Sequence, residues 1–112
     1  MDALVMCGGA GTRLDTDVEK PLYEIDGVPM IDRVLDALEG SRIETSYAVG
    51  SPAVPETVAH VTVPQIEGTG AGYVADLNVA LESVERPVLT LGADLPLLTP
   101  DGIDWVLEAY AE

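Results

Sequence analysis

Short stretches of five or six residues that are rich in apolar or β-branched side chains recur along the chain, each bounded by glycine, proline or polar residues. Runs of this length are typical of buried strands and are too short for the helices of a globular domain. They occupy residues 3–7, 45–49, 58–63 and 87–91. The pattern therefore predicts a strand at each of these places.

Between the predicted strands, apolar residues return every three or four positions, which predicts amphipathic helices. The first is predicted at residues 29–38, the second at residues 70–84, and the last begins at Pro100 after the capping residue Thr99. Their apolar stripes are, in order, Met30, Ile31, Val34, Leu35 and Leu38; Val74, Leu77, Leu81 and Val84; and Ile103, Val106, Leu107 and Tyr110.

This alternation of strands and helices predicts an α/β fold. We expect a three-layer, Rossmann-like domain, with helices on both faces of a mostly parallel sheet of strand order 3-2-1-4. Ligands of such sheets bind at the carboxyl ends of the strands, near the first and fourth strands in this order. Residues 1–112 are taken as a single domain, because no linker or repeat interrupts the pattern.

Composition narrows the class of protein. A hydrophobic content of 47% argues against intrinsic disorder, despite a formal net charge of −15. No apolar run is long enough for a membrane span, and Asp2 argues against a signal peptide. Cys7 is the only cysteine, so no internal disulfide can form. These features predict a cytoplasmic protein.

The acidity has two explanations. Carboxylates outnumber lysine and arginine by 20 to 5 and are scattered along the chain, which is typical of a solvated surface rather than an interaction tail. Lysine is nearly absent, as in halophilic proteins, so adaptation to molar salt is favoured over an acidic face for a cationic partner. The negative field also argues against binding of DNA or RNA.

A glycine-rich loop follows the first predicted strand, and two of the five cationic side chains lie beside it. Glycines at a strand's carboxyl end let backbone N–H groups converge on an anion, and nearby cations neutralise the remaining charge. We predict a nucleotide triphosphate site here. Its residues are Cys7, Gly8, Gly9, Ala10, Gly11, Thr12, Arg13 and the only lysine, Lys20. The spacing fits neither a P-loop nor a dinucleotide fingerprint, and the alternative is a tight turn whose glycines serve backbone geometry alone.

Further candidates follow the other predicted strands. Asp94 lies just after the fourth strand and should project into the same crevice, where Mg²⁺ would bridge it to the phosphates; a local turn is the alternative. The rim is predicted to contact the base and ribose, although on spacing alone a flexible connection followed by a helix start is favoured for the segment after the third strand. These rim residues are Gly50, Ser51, Thr69 and Gly70.

The motif Gly-Gly-x-Gly-x-Arg-Leu at residues 8–14, followed by Lys-Pro-Leu at residues 20–22, resembles that of the nucleotidyltransferase superfamily. Within it, the chain is most similar to the archaeal GTP:adenosylcobinamide-phosphate guanylyltransferases, and the molybdenum-cofactor guanylyltransferases are close relatives. The residues that carry the closer resemblance are Met1 to Leu4, Glu19 to Leu22, Ser51, Pro52, Pro55, Thr57, Gly70, Gly72, Tyr73, Asp76, Leu77, Asn78, Asp94 and Leu95.

The resemblance implies transfer of GMP from GTP to adenosylcobinamide phosphate, a corrinoid, with release of pyrophosphate. It assigns catalytic roles to two residues: Arg13 would bind the leaving pyrophosphate and Lys20 would neutralise the α-phosphate. Asp94 would hold Mg²⁺. Guanylyl transfer to the molybdenum cofactor, nucleotidyl transfer to a sugar phosphate, and a non-catalytic GTP-binding module stay open as alternatives.

The chain departs from this family in length, because members carry a further stretch after the equivalent of Glu112. We therefore expect the fourth strand to be an open edge beside the crevice, which is a liability for a soluble protein. Either the chain is a trimmed or divergent form, or another chain covers the edge, a homodimer being one such arrangement.

Overall fold

A computed structural model describes residues 1–8, 18–93, 95 and 97–111. The strands are β1 (Asp2–Met6), β2 (Glu24–Ile25), β3 (Val28–Pro29), β4 (Ser46–Gly50), β5 (Gln65–Glu67) and β6 (Val88–Gly92). The helices are α1 (Met30–Glu39), α2 (Pro55–His60), α3 (Tyr73–Ser83) and α4 (Pro100–Ala111), with a 3-10 turn at Lys20–Leu22. Within these described ranges, no helix has the length and apolarity needed to cross a membrane.

One parallel sheet forms the centre of the described structure, with the strand order β5-β4-β1-β6. Val5 of β1 lies between Ala48 of β4 and Leu91 of β6, so the strands are aligned side by side. Their carboxyl ends therefore open at one edge of the sheet. The predicted fold class is confirmed. A short antiparallel pair, β2 with β3, was not predicted from the sequence.

Both faces of the sheet are covered, and β1 shows this most clearly. Ala3 and Val5 are fully buried in a cluster that includes residues of α1 and α4. Leu4 and Met6, which alternate with them, pack on the other face against Ala80 of α3. Because successive strand residues point to opposite faces, the uninterrupted apolar run of β1 is what a central strand between two helical layers requires.

The predicted third strand at residues 58–63 is wrong. Residues Pro55–His60 form α2 instead, and the third strand is β5 at Gln65–Glu67. Val54 and Val61 are buried and Val58 is partly buried. Their spacing of four and then three residues is that of a helix face, and Pro55 is favoured in a first helical turn.

Parts of two predicted helix faces are also wrong. In α3, Val74 is 69% exposed, and the most buried positions are Asp76 and Ala80. In α4, Ile103 is buried as predicted and Leu107 packs against the core, but Val106 is 42% and Tyr110 65% exposed. Helical periodicity identifies an apolar face; it does not show whether another element covers it.

Candidate functional site

The ends of β1 and β4 are in close contact at the predicted site. Gly8 follows β1 and the buried Ser51 follows β4. A Cβ atom at position 8 would lie only 2.5 Å from Ser51 Oγ, so glycine is the residue that allows this approach. Gly8 and Ser51, which were predicted from separate segments, are therefore neighbours.

The segment after β5 joins the same place. The Gly68 N–H donates to the Gly50 carbonyl over 2.7 Å, and a Cβ at position 68 would lie 2.6 Å from that oxygen. Gly70 has a φ of 78°, and a Cβ there would be 3.4 Å from Pro52 Cδ. The structure thus brings the predicted rim residues of the β4 and β5 ends together.

Asp76, on the first turn of α3, holds the Thr69–Gly70 turn in place. Its side chain is 1% exposed. Asp76 Oδ1 accepts hydrogen bonds from the Thr69 N–H over 2.6 Å, the Thr69 hydroxyl over 2.9 Å and the Gly70 N–H over 3.0 Å. The Thr69 hydroxyl in turn accepts from the Ala71 N–H. Hydrogen bonds to an ionised acceptor are stronger than neutral ones, so this turn is well fixed.

Glu19 makes a similar set of contacts with the first turn of α2. Its side chain is 0% exposed. Its carboxylate accepts from the Glu56 N–H at 3.0 Å, the Thr57 N–H at 2.7 Å and the Thr57 hydroxyl at 2.7 Å. All three donors belong to the first turn of α2. Pro55 has no N–H, and Val54 makes no side-chain cap, so the carboxylate of Glu19 caps this helix.

Lys20 follows Glu19 directly and begins the 3-10 turn. Pro21 in that turn is buried, and the Leu22 N–H donates to the Glu19 carbonyl over 2.9 Å. The Tyr23 N–H donates to the Lys20 carbonyl over 3.2 Å. The backbone of Lys20 is therefore fixed on both sides by buried or hydrogen-bonded neighbours.

The Cys7 thiol faces the core rather than the crevice. It is 5% exposed and its Sγ donates to the Val5 carbonyl over 3.4 Å. Burial raises the pKa of this thiol from 9.0 to about 12, because an apolar environment disfavours the thiolate. The Cys7 N–H is bound to the Val49 carbonyl. Any contribution to a nucleotide site would thus come from the Cys7 carbonyl.

Several predicted site residues lie outside the described residues: Gly9, Ala10, Gly11, Thr12, Arg13 and Asp94. Their roles stay predictions. The Ala93 N–H donates to the Met6 carbonyl over 3.1 Å, so the residue before Asp94 lies beside the end of β1. Among the described residues, no group of three or more His, Cys, Asp or Glu side chains could hold a metal ion, and the Mg²⁺ site also stays a prediction.

A cavity of about 530 Å³ opens next to the β4 end. It is lined by Gly50 and Ser51, by Pro55 and Val58 of α2, and by Ile66 among residues of β5. Pro55, Val58 and Ile66 are the apolar residues of this group. Such a space next to the rim has room for part of a small-molecule ligand.

Asp76 and Glu19 are the important residues that the sequence analysis did not assign to the site. Little in the sequence alone indicates either role. Asp76 lies four residues before Ala80, on the buried stripe of α3 where an acidic side chain is unexpected. Glu19 precedes the only lysine, but its partners are 37 and 38 residues away, a separation that local patterns do not reveal.

Comparisons with known proteins identify several relatives of this chain. The chain is 35% identical over 118 residues to the adenosylcobinamide-phosphate guanylyltransferase of Methanocaldococcus jannaschii, covering 98% of this chain and 60% of that protein. A hypothetical transferase from Thermus thermophilus superposes with a TM-score of 0.76 at 29% identity, covering 96% of this chain and 46% of the other. A nucleotidyl transferase from Methanothermobacter thermautotroptrophicus superposes with a TM-score of 0.78 at 19% identity, covering 96% and 56%.

The chain thus spans 60% of the length of that curated guanylyltransferase. The family profile described as MobA-like NTP transferase domain matches residues 3–112, nearly the whole sequence. The resemblance to nucleotidyltransferases predicted from the glycine-rich motif is confirmed. By its sequence, this chain belongs to the family of MobA-like NTP transferase domains.

Proposed function

We propose that the chain is the nucleotide-binding part of a guanylyltransferase that transfers GMP from GTP to adenosylcobinamide phosphate and releases pyrophosphate. The observation that carries the proposal is the meeting of Gly8, Ser51 and the turn at Thr69 and Gly70 at the ends of parallel strands. Nucleotides bind at this position in sheets of this kind. Family membership and the similarity to the Methanocaldococcus protein support the choice of substrates.

In the proposed reaction, an oxygen of the acceptor phosphate attacks the α-phosphorus of GTP in line. A P–O bond forms to the acceptor as the bond from the α-phosphorus to the β-phosphate oxygen breaks, and pyrophosphate leaves with that electron pair. No covalent enzyme intermediate is needed. The contribution of the protein is then positioning and charge neutralisation, the main sources of catalysis in phosphoryl transfer.

We assign the roles as follows. Backbone amides of residues 8–12 hold the phosphates, Arg13 binds the leaving pyrophosphate, and Lys20 neutralises the α-phosphate. The four rim residues and the cavity beside them take the base and ribose. A divalent ion, which we take to be Mg²⁺, would further neutralise the phosphates when bound, with Asp94 as its ligand.

The acceptor is a corrinoid phosphate, and we place the reaction in the cytoplasm, where GTP is available. In the described part of the chain, β6 pairs with β1 on one side only. We propose that a second copy of the chain or a further polypeptide segment covers this edge, with a homodimer as the form to test first.

Two measurements test the proposed function. Calorimetric titration with GTP, ATP and CTP in concentrated KCl, with and without Mg²⁺, measures base selectivity, and we expect selective binding of GTP. Release of pyrophosphate from GTP is then measured with adenosylcobinamide phosphate as acceptor. GTP binding without release of pyrophosphate would favour a non-catalytic module. A folded sample that binds none of the three nucleotides would refute the assignment.

A further inference from the structure

We propose that Glu19 is a positioning residue, which fixes Lys20 at the nucleotide end of the sheet by holding the first turn of α2. The inference rests on the proposed function only for the role of Lys20 in catalysis. Its structural content, a connection between Lys20 and the segment after β4, can be tested without turnover.

The side chain of Glu19 is buried. A carboxylate with 0% exposure is costly to remove from water unless hydrogen bonds replace the lost hydration. Glu19 accepts three such bonds from Glu56 and Thr57. The side chain is therefore held in one position, and it cannot move without leaving buried polar groups unsatisfied.

The cap of α2 comes from a distant residue. Helices are usually capped by a Ser, Thr, Asp or Asn at the residue before the first turn. Here that residue is Val54, which makes no side-chain cap, and the acceptor comes from a residue 38 positions before Thr57. A residue next to the helix could have supplied a cap that only stabilised α2. The cap by Glu19 instead connects α2 to the segment that carries Lys20.

The start of α2 also packs against the end of β4. The Val54 N–H donates to the Ser51 carbonyl over 3.1 Å, and a Cβ at Gly50 would lie 2.5 Å from Val58 Cγ2. The first turn of α2 is thus packed against the β4 end. Glu19 therefore links Lys20 to the rim at Gly50 and Ser51, and a shift of either would displace the other.

The decisive variant is Glu19→Gln, which keeps the shape but places an amide NH₂ where a carboxylate oxygen faces an N–H donor. We expect kcat for GMP transfer to fall by at least about tenfold, the effect of losing one favourable contact in the transition state. KM for GTP should change by less than about threefold, because the other contacts to the phosphates still bind GTP equally well in the ground state and in the transition state. Glu24→Gln, an exposed glutamate on β2, is the matched control and should behave as wild type.

A milder pair of variants guards against misfolding. Thr57→Val removes one of the three donors and should lower kcat, whereas Thr57→Ser keeps the hydroxyl and should restore it. A double-mutant cycle of Glu19→Gln with Lys20→Ala then separates positioning from general stability. We expect Glu19→Gln to have little further effect once Lys20 is absent. Full additivity of the two effects would overturn the inference.

A readout that needs no turnover comes from the composition of the chain. Because Lys20 is the only lysine, reductive ¹³C-methylation labels two amines, Lys20 and the amino terminus, which NMR can distinguish. In the folded protein we expect the Lys20 signal to differ from that of urea-unfolded protein, and to move towards the unfolded position in Glu19→Gln but not in Glu24→Gln. An unchanged Lys20 signal in Glu19→Gln would refute the positioning role. Failure of the wild type to transfer GMP would refute only the proposed function.

Discussion

The hydrogen bonds of Asp76 allow a quantitative prediction for Asp76→Asn. This change keeps the shape and an acceptor oxygen, but removes the charge. Hydrogen bonds to charged groups contribute about 1.5–3 kcal/mol and neutral ones about 0.5–1.5 kcal/mol, a difference of about 1 kcal/mol per bond. With three bonds to Asp76 Oδ1, the loss has an upper limit of about 3 kcal/mol.

Part of this loss is offset, because asparagine does not require the burial of a charge. We therefore expect the free energy of unfolding to fall by about 1–2 kcal/mol, which lowers Tm by about 4–8 °C in a domain of this size. GTP affinity should fall as well, since the Thr69–Gly70 turn is less well held. Urea and thermal unfolding in KCl, followed by circular dichroism, measure the change.

Asp36→Asn, at an exposed position of α1, is the matched control and should alter the unfolding free energy by less than about 0.5 kcal/mol. The reasoning would be refuted if Asp76→Asn were as stable as wild type or more stable. That result would mean that burying the charge costs as much as its hydrogen bonds contribute.

Three further predictions concern other parts of the site. Lys20→Ala should raise the activation free energy of GMP transfer by about 3–4 kcal/mol and leave the circular dichroism spectrum unchanged. Near-normal rates would exclude Lys20 from catalysis. Gly68→Ala places a Cβ 2.6 Å from the Gly50 carbonyl oxygen and should lower the unfolding free energy by about 1–3 kcal/mol; a neutral result in urea unfolding would contradict the close packing. The folded-state pKa of Cys7 is about 12, above the ordinary 9.0, so the folded protein keeps its proton as pH rises past 9. The free energy of unfolding, compared with that of Cys7→Ala, should therefore be constant below pH 9 and fall by about 1.4 kcal/mol per pH unit between pH 9 and about 12. Parallel pH profiles of the two proteins would refute the effect of burial.

The central part of the fold could be predicted because local sequence determines it. The run at β1 is apolar on both faces, and the stripe of α1 from Met30 to Leu38 is buried or nearly so. The third strand was misplaced because Val58 to Val63 is apolar enough for either state. The carboxylate of Glu19 supports the helical state by binding the first turn of α2 from a distant part of the sequence, which local patterns do not show.

Local sequence patterns predicted the residues at the strand ends, but they did not predict the residues that hold these segments in place. Glycines after strands indicate a close approach, and Gly8 and Gly70 do lie beside the β4 end. The roles of Asp76 and Glu19 were not predicted, because the sequence does not show which N–H and hydroxyl groups each carboxylate meets. Only the fold shows that each accepts hydrogen bonds from a threonine and its neighbour.

The edge of β6, paired on one side among the described residues, has a consequence for colloidal behaviour. In dilute buffer a net charge of −15 keeps copies of the chain apart, because the Debye length at 0.01 M salt is about 30 Å. At 1 M salt it is about 3 Å, and this repulsion no longer reaches across the gap between two approaching sheets. Self-association along β6 should therefore strengthen as salt is added, whereas a complex held by opposite charges would dissociate.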